Sequence, residues 1–299
     1  MSASALPGAL SVVALFEQRR AELLAQKRRA TLFYGGLLVL ALLVAGWVSE
    51  VTPRALWEGV PRFGEYLAQT VPTLEWQHLF AGAKQEGSLA FWFYRGDQWA
   101  LLLLETANIA AFATLFGAAI AFALSFVAAR NTGAPVWLAI AVRRLLEACR
   151  TVPELVYALI FVWAFGIGPL AGILAIAIHS VGALGKLFAE VVENTDLGAA
   201  DGVKCAGGNW FQQMRFGMLP QVAPNFLSYA ILRFEINVRG ASVIGFVGAG
   251  GIGQELYAVI AQNYYEEISA IVVMIIVVVV MIDLISEKLR KGLTEGGRA

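Results

Sequence analysis

Charge is scarce in this sequence. Only 15% of its 299 residues are Asp, Glu, Lys or Arg, 59% are hydrophobic, and the mean hydropathy is +0.68. A soluble domain carries about 25% charged residues, so this chain lacks the material for a fully solvated surface. A basic excess is also missing, since 22 Lys and Arg balance 22 Asp and Glu. That argues against a nucleic-acid partner. Cysteine is limited to Cys149 and Cys205, and histidine to His78 and His179. Two distant cysteines match no metal spacing and read as free thiols. Two histidines on different sides of the topology leave little for a metal centre. No Ser-His-Asp arrangement, paired-carboxylate motif or G-x-x-x-x-G-K-[ST] phosphate loop occurs, and Gly182-Ala183-Leu184-Gly185-Lys186 is too short to be one. The chain is therefore expected to be a non-enzyme with no cofactor or metal of its own.

What it has in abundance is apolar sequence long enough to cross a bilayer, for which about 20 residues are needed. Six spans are expected, at 31–49, 98–127, 151–167, 169–189, 224–246 and 267–286. The third and fourth are divided only by the turn Gly166-Ile167-Gly168-Pro169. These runs are too uniformly apolar for barrel strands, which alternate. The expected fold class is all-α, a polytopic transmembrane helical bundle. Residues 1–30 are polar, carry Arg19, Arg20, Lys27, Arg28 and Arg29, and precede a long apolar run, which fits a retained anchor rather than a cleaved signal. With the N-terminus inside, the outer segments hold only Arg54, Arg62, Lys84 and Arg95, while most other basic residues fall on the inner side. Both termini are thus expected in the cytoplasm. The organisation reads as a cytoplasmic segment 1–30, an anchor 31–49, an extracytoplasmic segment 50–97, a core 98–287 with a loop at 191–223, and a tail 288–299. In the outer segment Leu56, Val60, Phe63 and Leu67 recur at helical spacing. That pattern suits a helix lying on the membrane surface or one packed on the bundle. Phe91-Trp92-Phe93-Tyr94 suits an interface anchor.

The fifth span carries Arg233, Glu235, Asn237 and Arg239 in otherwise apolar sequence, with Pro224 marking its start. Each ion near the bilayer centre costs about 2.5–3.5 kcal/mol on insertion scales, so these groups should face the bundle interior or a wet cavity. Glu235 and Arg239 are four apart and can pair. Arg233 has no obvious partner on its own helix; its planar fork suits an oxyanion, or it pairs with Glu105, Glu190 or another helix. His179 lies mid-span, as a packing residue or on a pathway. Glu105 and Asn108 are placed to line an outer vestibule, and Asp283 to reach the interface.

Between the fourth and fifth spans, Val203, Ala206, Trp210 and Met214 fall on one helical face, with Thr195 or Asp196 as a cap. Gly202, Gly207 and Gly208 permit close approach of another backbone, and Pro220 and Pro224 should end this helix and begin the next span. Further on, Gly248, Gly250, Gly251 and Gly253 satisfy G-x-G-x-x-G, but after a membrane span rather than a strand. A hinge or close helix contact at an outer gate is the better reading than a dinucleotide site.

The 201–220 stretch resembles the "EAA" loop of ABC importer permeases. Asp201-Gly202-Val203 stands in the EAA place, Gly207 is its glycine and Leu219-Pro220 its terminal pair, with Gly217 where that motif has Ile. Arg143-Arg144-Leu145, Gly217-Met218-Leu219-Pro220-Gln221-Val222, Arg233-Phe234-Glu235, Asn237-Val238-Arg239 and Val247-Gly248-Ala249-Gly250-Gly251-Ile252-Gly253 resemble the phosphonate importer permease, in order, over about residues 98–292. The resemblance implies a type I ABC importer permease in a bacterial inner membrane. It implies a second permease copy, two cytoplasmic ATPase subunits that hold ATP and Mg, and an extracytoplasmic substrate-binding protein. It implies that Asp201, Gly202, Val203, Gly207, Trp210, Met214, Leu219 and Pro220 serve ATPase coupling. The implied substrate is a phosphonate or another small phosphorus oxyanion. An ion-coupled secondary transporter, or an ABC permease for another small solute such as an amino acid, are the alternatives.

Overall fold

The computed structural model describes residues 7–295, and among them every regular element is helical. Two compact units divide after Ala68. The first is dominated by α1 (Pro7–Val48), a single helix where a polar segment followed by a separate span was expected. Residues 14–30 are rich in Ala, Leu, Glu, Gln, Lys and Arg, all strong helix formers, with no Gly or Pro to interrupt them. From Leu15 to Val48 its large apolar side chains are exposed, as on a lipid-facing helix. After a corner at Glu50, α2 (Pro53–Thr70) carries Leu56, Val60, Phe63 and Leu67.

The second unit begins with a short helix α3 (Leu89–Trp92), whose Trp92 indole N–H donates to the Glu266 carbonyl (3.1 Å) and Ser269 Oγ (3.0 Å). The Tyr94 hydroxyl meets Glu267 at 2.7 Å. The aromatic run expected as an interface anchor thus fixes the start of the last helix. Then come α4 (Gly96–Ala128), α5 (Val136–Thr151), α6 (Glu154–Phe165), α7 (Pro169–Glu193), α8 (Gly198–Cys205), α9 (Trp210–Gln212), a π-helical stretch (Gln213–Met218), α10 (Leu219–Ile244), a 3₁₀ turn (Gly245–Val247), α11 (Ile252–Ala261) and α12 (Tyr265–Glu295). The tail expected over 288–299 is helix to Glu295, and residues 296–299 lie outside the described residues, as do residues 1–6.

Among the described residues four helices are long and apolar enough to cross a membrane, or five if Trp210–Val247 and the bent Ile252–Ala261 count as one span. The expected third span is where the structure differs most. α6 has 12 residues, about 18 Å of helix, against a hydrocarbon core of about 30 Å. It continues a helix that the sequence hid. Arg143, Arg144, Glu147 and Arg150 depress the hydropathy of α5, and Pro153 breaks the path between the two. Both halves lie against α7. A Cβ on Gly182 would fall 2.6 Å from the Arg150 nitrogen, and one on Gly185 2.5 Å from a Leu146 methyl. Small residues let membrane helices approach this closely. The core at the centre of the bundle joins α4, α6, α7 and α10 through Ile109, Ala113, Ala158, Ile176, Val238 and Ile244.

The fifth span also begins earlier than expected. Pro220 and Pro224 do not end a helix: α9, the π stretch and α10 run on without interruption, with Pro224 inside α10. Pro220, second residue of α10, has no N–H to donate back into the preceding turn. The wider π turn just before it absorbs the change of register.

Candidate functional site

α10 carries two polar seams on different sides. The first joins α4, α6 and α7. The Asn237 amide, 1% exposed, donates to Thr114 Oγ1 (2.8 Å) and Ser180 Oγ (2.9 Å). Arg233 Nε donates to the same Ser180 oxygen (3.1 Å), and its guanidinium lies 3.9 Å from Glu154 Oε2. The Arg233 side chain is only 12% exposed. Glu154 opens α6 just after the Pro153 break and packs on α10, where a Cβ at Gly240 would lie 2.8 Å from Oε1. Among the described residues two buried acceptors in this seam, Asn237 Oδ1 and Glu154 Oε2, accept no hydrogen bond, the latter having only the Arg233 charge at 3.9 Å. The partner of Arg233 is thus neither Glu105 nor Glu190.

The second seam joins α10 to α12. Arg239 pairs with Glu235 at 2.7 Å and lies 3.7 Å from Asp283, and Arg290 lies 3.4 Å from the other Glu235 oxygen. Asp283, expected to reach the interface, has Arg239 of this cluster as its neighbour. Glu235 is 11% exposed but Arg239 is 52% exposed. A half-exposed arginine within a span does not face lipid at reasonable cost.

The remaining pathway candidates lie apart. His179 Nδ1 is 3.2 Å from the Val152 carbonyl and so braces the break between α5 and α6. Glu105 Oε1 accepts from the Gly251 N–H (3.3 Å), next to Thr106 Oγ1, which accepts from Ile252 (2.9 Å). Asn108 is exposed on α4. The glycine stretch is a packed corner rather than a nucleotide loop. Gly248, Gly250 and Gly251 have φ of 86°, 84° and 72°, values that side chains rarely tolerate. A Cβ at Gly253 would strike the Ser242 carbonyl oxygen. The bend from α10 into α11 made there is 46°.

The 191–223 segment is not the single striped helix that periodicity suggested. α8 ends in a Schellman motif, with Gly208 N–H on the Val203 carbonyl, Gly207 N–H on the Lys204 carbonyl (2.9 Å each) and Gly207 at φ +82°. The chain restarts at Asn209, which forms a capping box with Gln212. Of the four stripe residues, Met214 is buried, Val203 and Trp210 are half-buried, and Ala206 is exposed. The burial is supplied instead by Ala200, Met214, Met218 and Val222, packed with Val192, Phe188 and Phe226, the two phenyl rings stacked at 4.1 Å. Ala200 sits on Gly217, where a Cβ would be 2.5 Å from the Ala200 Cα. The Trp210 indole N–H donates to the Thr132 carbonyl at 2.9 Å. Leu219 is half-buried and Pro220 exposed at the start of α10. The opposite face, with Asp201, Gly202, Lys204, Cys205 and Phe211, is open. Beside it an apolar groove of about 450 Å³ runs between Phe122, Phe126, Trp210, Phe211, Met214 and Leu219.

Sequence reasoning missed Glu154, Ser180, Thr114 and Arg290. Glu154 was visible as the only acid within the third apolar run, a signal of the same kind as the α10 charges. Thr114 and Ser180 leave no trace in hydropathy.

Three kinds of comparison bear on this arrangement. A family model described as the binding-protein-dependent transport system inner membrane component matches residues 120–294. The putative phosphite transport system permease protein HtxC of Stutzerimonas stutzeri is 34% identical over 88% of this chain and 87% of its own. The phosphite transport system permease protein PtxC of the same organism is 42% identical over 64% of this chain and 70% of its own. Among solved structures, a chain of the inward-facing MetNI methionine ABC transporter superposes with a TM-score of 0.56 over 65% of this chain and 95% of that one, at 18% identity.

Proposed function

The chain belongs to the family of binding-protein-dependent transport system inner membrane components, and on that premise we propose that it passes a small phosphorus oxyanion of the phosphite–phosphonate class and takes its driving stroke from a separate ATPase through the 198–218 corner. It is a permease subunit of an importer and a multi-pass membrane protein. In our reading the broken α5–α6 pair completes six crossings, both termini face the cytoplasm, two copies enclose the pathway, and ATP and Mg reside in the partner ATPase.

The observation that carries the coupling reading is the unbroken helical path from Trp210 through the π stretch to Val247. One end of that path is welded to α8 at Ala200–Gly217, and α8 leaves its other face open. The body of the path bears Arg233, Glu235, Asn237 and Arg239. A displacement of the corner therefore reaches both polar seams without crossing a flexible joint, the kind of rigid-body movement that alternating access requires. Arg233 is the reading's choice for the oxyanion, because a guanidinium fork matches two phosphoryl oxygens. Glu154 holds that fork in the absence of substrate, and an incoming anion displaces it. The substrate class rests on the two Stutzerimonas relatives, whose names specify phosphite; the methionine transporter supports the fold alone.

The test is uptake of phosphite and methylphosphonate in proteoliposomes that also contain the partner ATPase and binding protein. The expected result is uptake that requires ATP and falls at least about tenfold in Asp201→Arg with assembly intact, a loss equal to about 1.4 kcal/mol of coupling. Uptake that ignores ATP and collapses with a proton uncoupler would establish the secondary transporter instead. ATP-driven uptake of an amino acid but of neither phosphorus compound would establish the other-solute permease.

A further inference from the structure

A groove of about 390 Å³ lies where α4 gives way to α5, away from both polar seams and from the open face of α8. One wall is basic and the other apolar. Of its arginines, Arg143 is committed, donating to the Ala128 carbonyl (2.6 Å) and pairing with Glu193. Arg144 is 76% exposed and, among the described residues, pairs only with Glu147, one turn along the same helix. An exposed pair of that kind contributes little and is readily exchanged. Arg130 is exposed, and its side chain has no hydrogen bond or ion pair among the described residues. The apolar wall is Val136 and Ile140, 74% and 53% exposed, and Trp137 beside them is 71% exposed.

The level of this groove in the membrane follows from α4. Its 33 residues span about 50 Å, well beyond the hydrocarbon core of about 30 Å. A helix that long extends past the core, and the polar Arg130-Asn131-Thr132 that follow its Ala128 end place that end in a headgroup layer, where an exposed tryptophan is also at home. An unpaired Arg130 and an exposed Arg144 held only by its exchangeable pair with Glu147, which also lines the groove, lie beside exposed aliphatic side chains at that depth and match one kind of molecule, a negative headgroup with a hydrocarbon chain attached.

We propose that this groove binds an anionic phospholipid, its phosphate held by Arg130 and Arg144 and an acyl chain lying along Val136 and Ile140. The same 129–135 corner supplies the Thr132 carbonyl to Trp210, so a bound lipid braces the corner against which the coupling segment rests.

The experiment is native mass spectrometry of the full chain in a non-ionic detergent, titrated with phosphatidylglycerol or phosphatidylcholine of matched acyl chains, with and without inorganic phosphate. Phosphatidylglycerol should occupy the protein at concentrations where phosphatidylcholine does not, and phosphate should not displace it. Each arginine contributes about fivefold to such binding, so R130Q/R144Q should lose about 25-fold. R130K/R144K should retain most of the binding, and R54Q/R62Q, which removes two arginines from α2, should retain all of it. Equal binding of the two lipids, or undiminished phosphatidylglycerol binding by R130Q/R144Q, would overturn the proposal. Displacement by phosphate would do so too, by marking a free-anion site. Both substituted arginines are exposed, and circular dichroism of each variant reports whether the helices persist.

Discussion

Arg233 and Asn237 share one hydroxyl, that of Ser180, and this sharing makes the seam sensitive to single changes. Asn237→Leu leaves the Thr114 hydroxyl without its buried donor and Ser180 with Arg233 alone, at a cost of about 1–3 kcal/mol, which thermal melting in detergent will read as a lowered midpoint. Glu154→Gln removes the charge that holds the Arg233 guanidinium at 3.9 Å while leaving a side chain of the same shape. If the anion competes with Glu154 for that fork, this variant should lower the KM for phosphite uptake, whereas Arg233→Ala should raise it; an E154Q variant with a raised KM would contradict the exchange. The sequence displayed the charges of α10 and the pairing of Glu235 with Arg239, because both follow from spacing along one helix. It did not display which remote residue meets Arg233. Glu154 lies 79 positions earlier, and only the fold of α6 against α10 joins them. The partner of Asp283 was hidden for the same reason: its position near the end of an apolar run said nothing of Arg239 on the neighbouring helix.

At the scale of elements, the differences between pattern and structure come from breaks. A stripe of Val203, Ala206, Trp210 and Met214 matches an unbroken helix, but Gly207 adopts φ +82° and ends it. Two glycines in α8 and its cap therefore predict opposite outcomes. Gly207→Ala meets no neighbour yet must hold a left-handed backbone, costing about 1–2 kcal/mol. Gly202→Ala also meets no neighbour but lies within ordinary helix, and should stabilise by about 0.5–1 kcal/mol. Thermal melts of the two variants should move in opposite directions. Gly217→Ala presses a methyl into the Ala200 backbone, and overpacking of this kind costs about 1–3 kcal/mol; its uptake should fall along with its melting temperature, because the joint between α8 and the long helix is what it disturbs. The α5–α6 pair was half legible. Apolar 154–165 stood out, while the charges of 143–150 disguised the other half as a loop.

The whole molecule was legible where long apolar runs govern it, as in α4, α7 and α12, whose N-terminal ends match the expected spans to within a few residues. What the sequence could not convey was continuity, namely that one helix passes from the corner at Trp210 through the π turn and past both polar seams. The account's central claim is that the open face of α8 is the handle an ATPase grips from the cytoplasm. Cys205, exposed on that face, is a native reporter of it. The decisive measurement is labelling of Cys205 by a membrane-impermeant maleimide, in spheroplasts and in inside-out vesicles stripped of the ATPase. The account predicts no labelling in spheroplasts, rapid labelling in the stripped vesicles, and protection when the ATPase is added back. Labelling of Cys205 from outside the cell, or labelling in vesicles that the ATPase leaves unchanged, would contradict it.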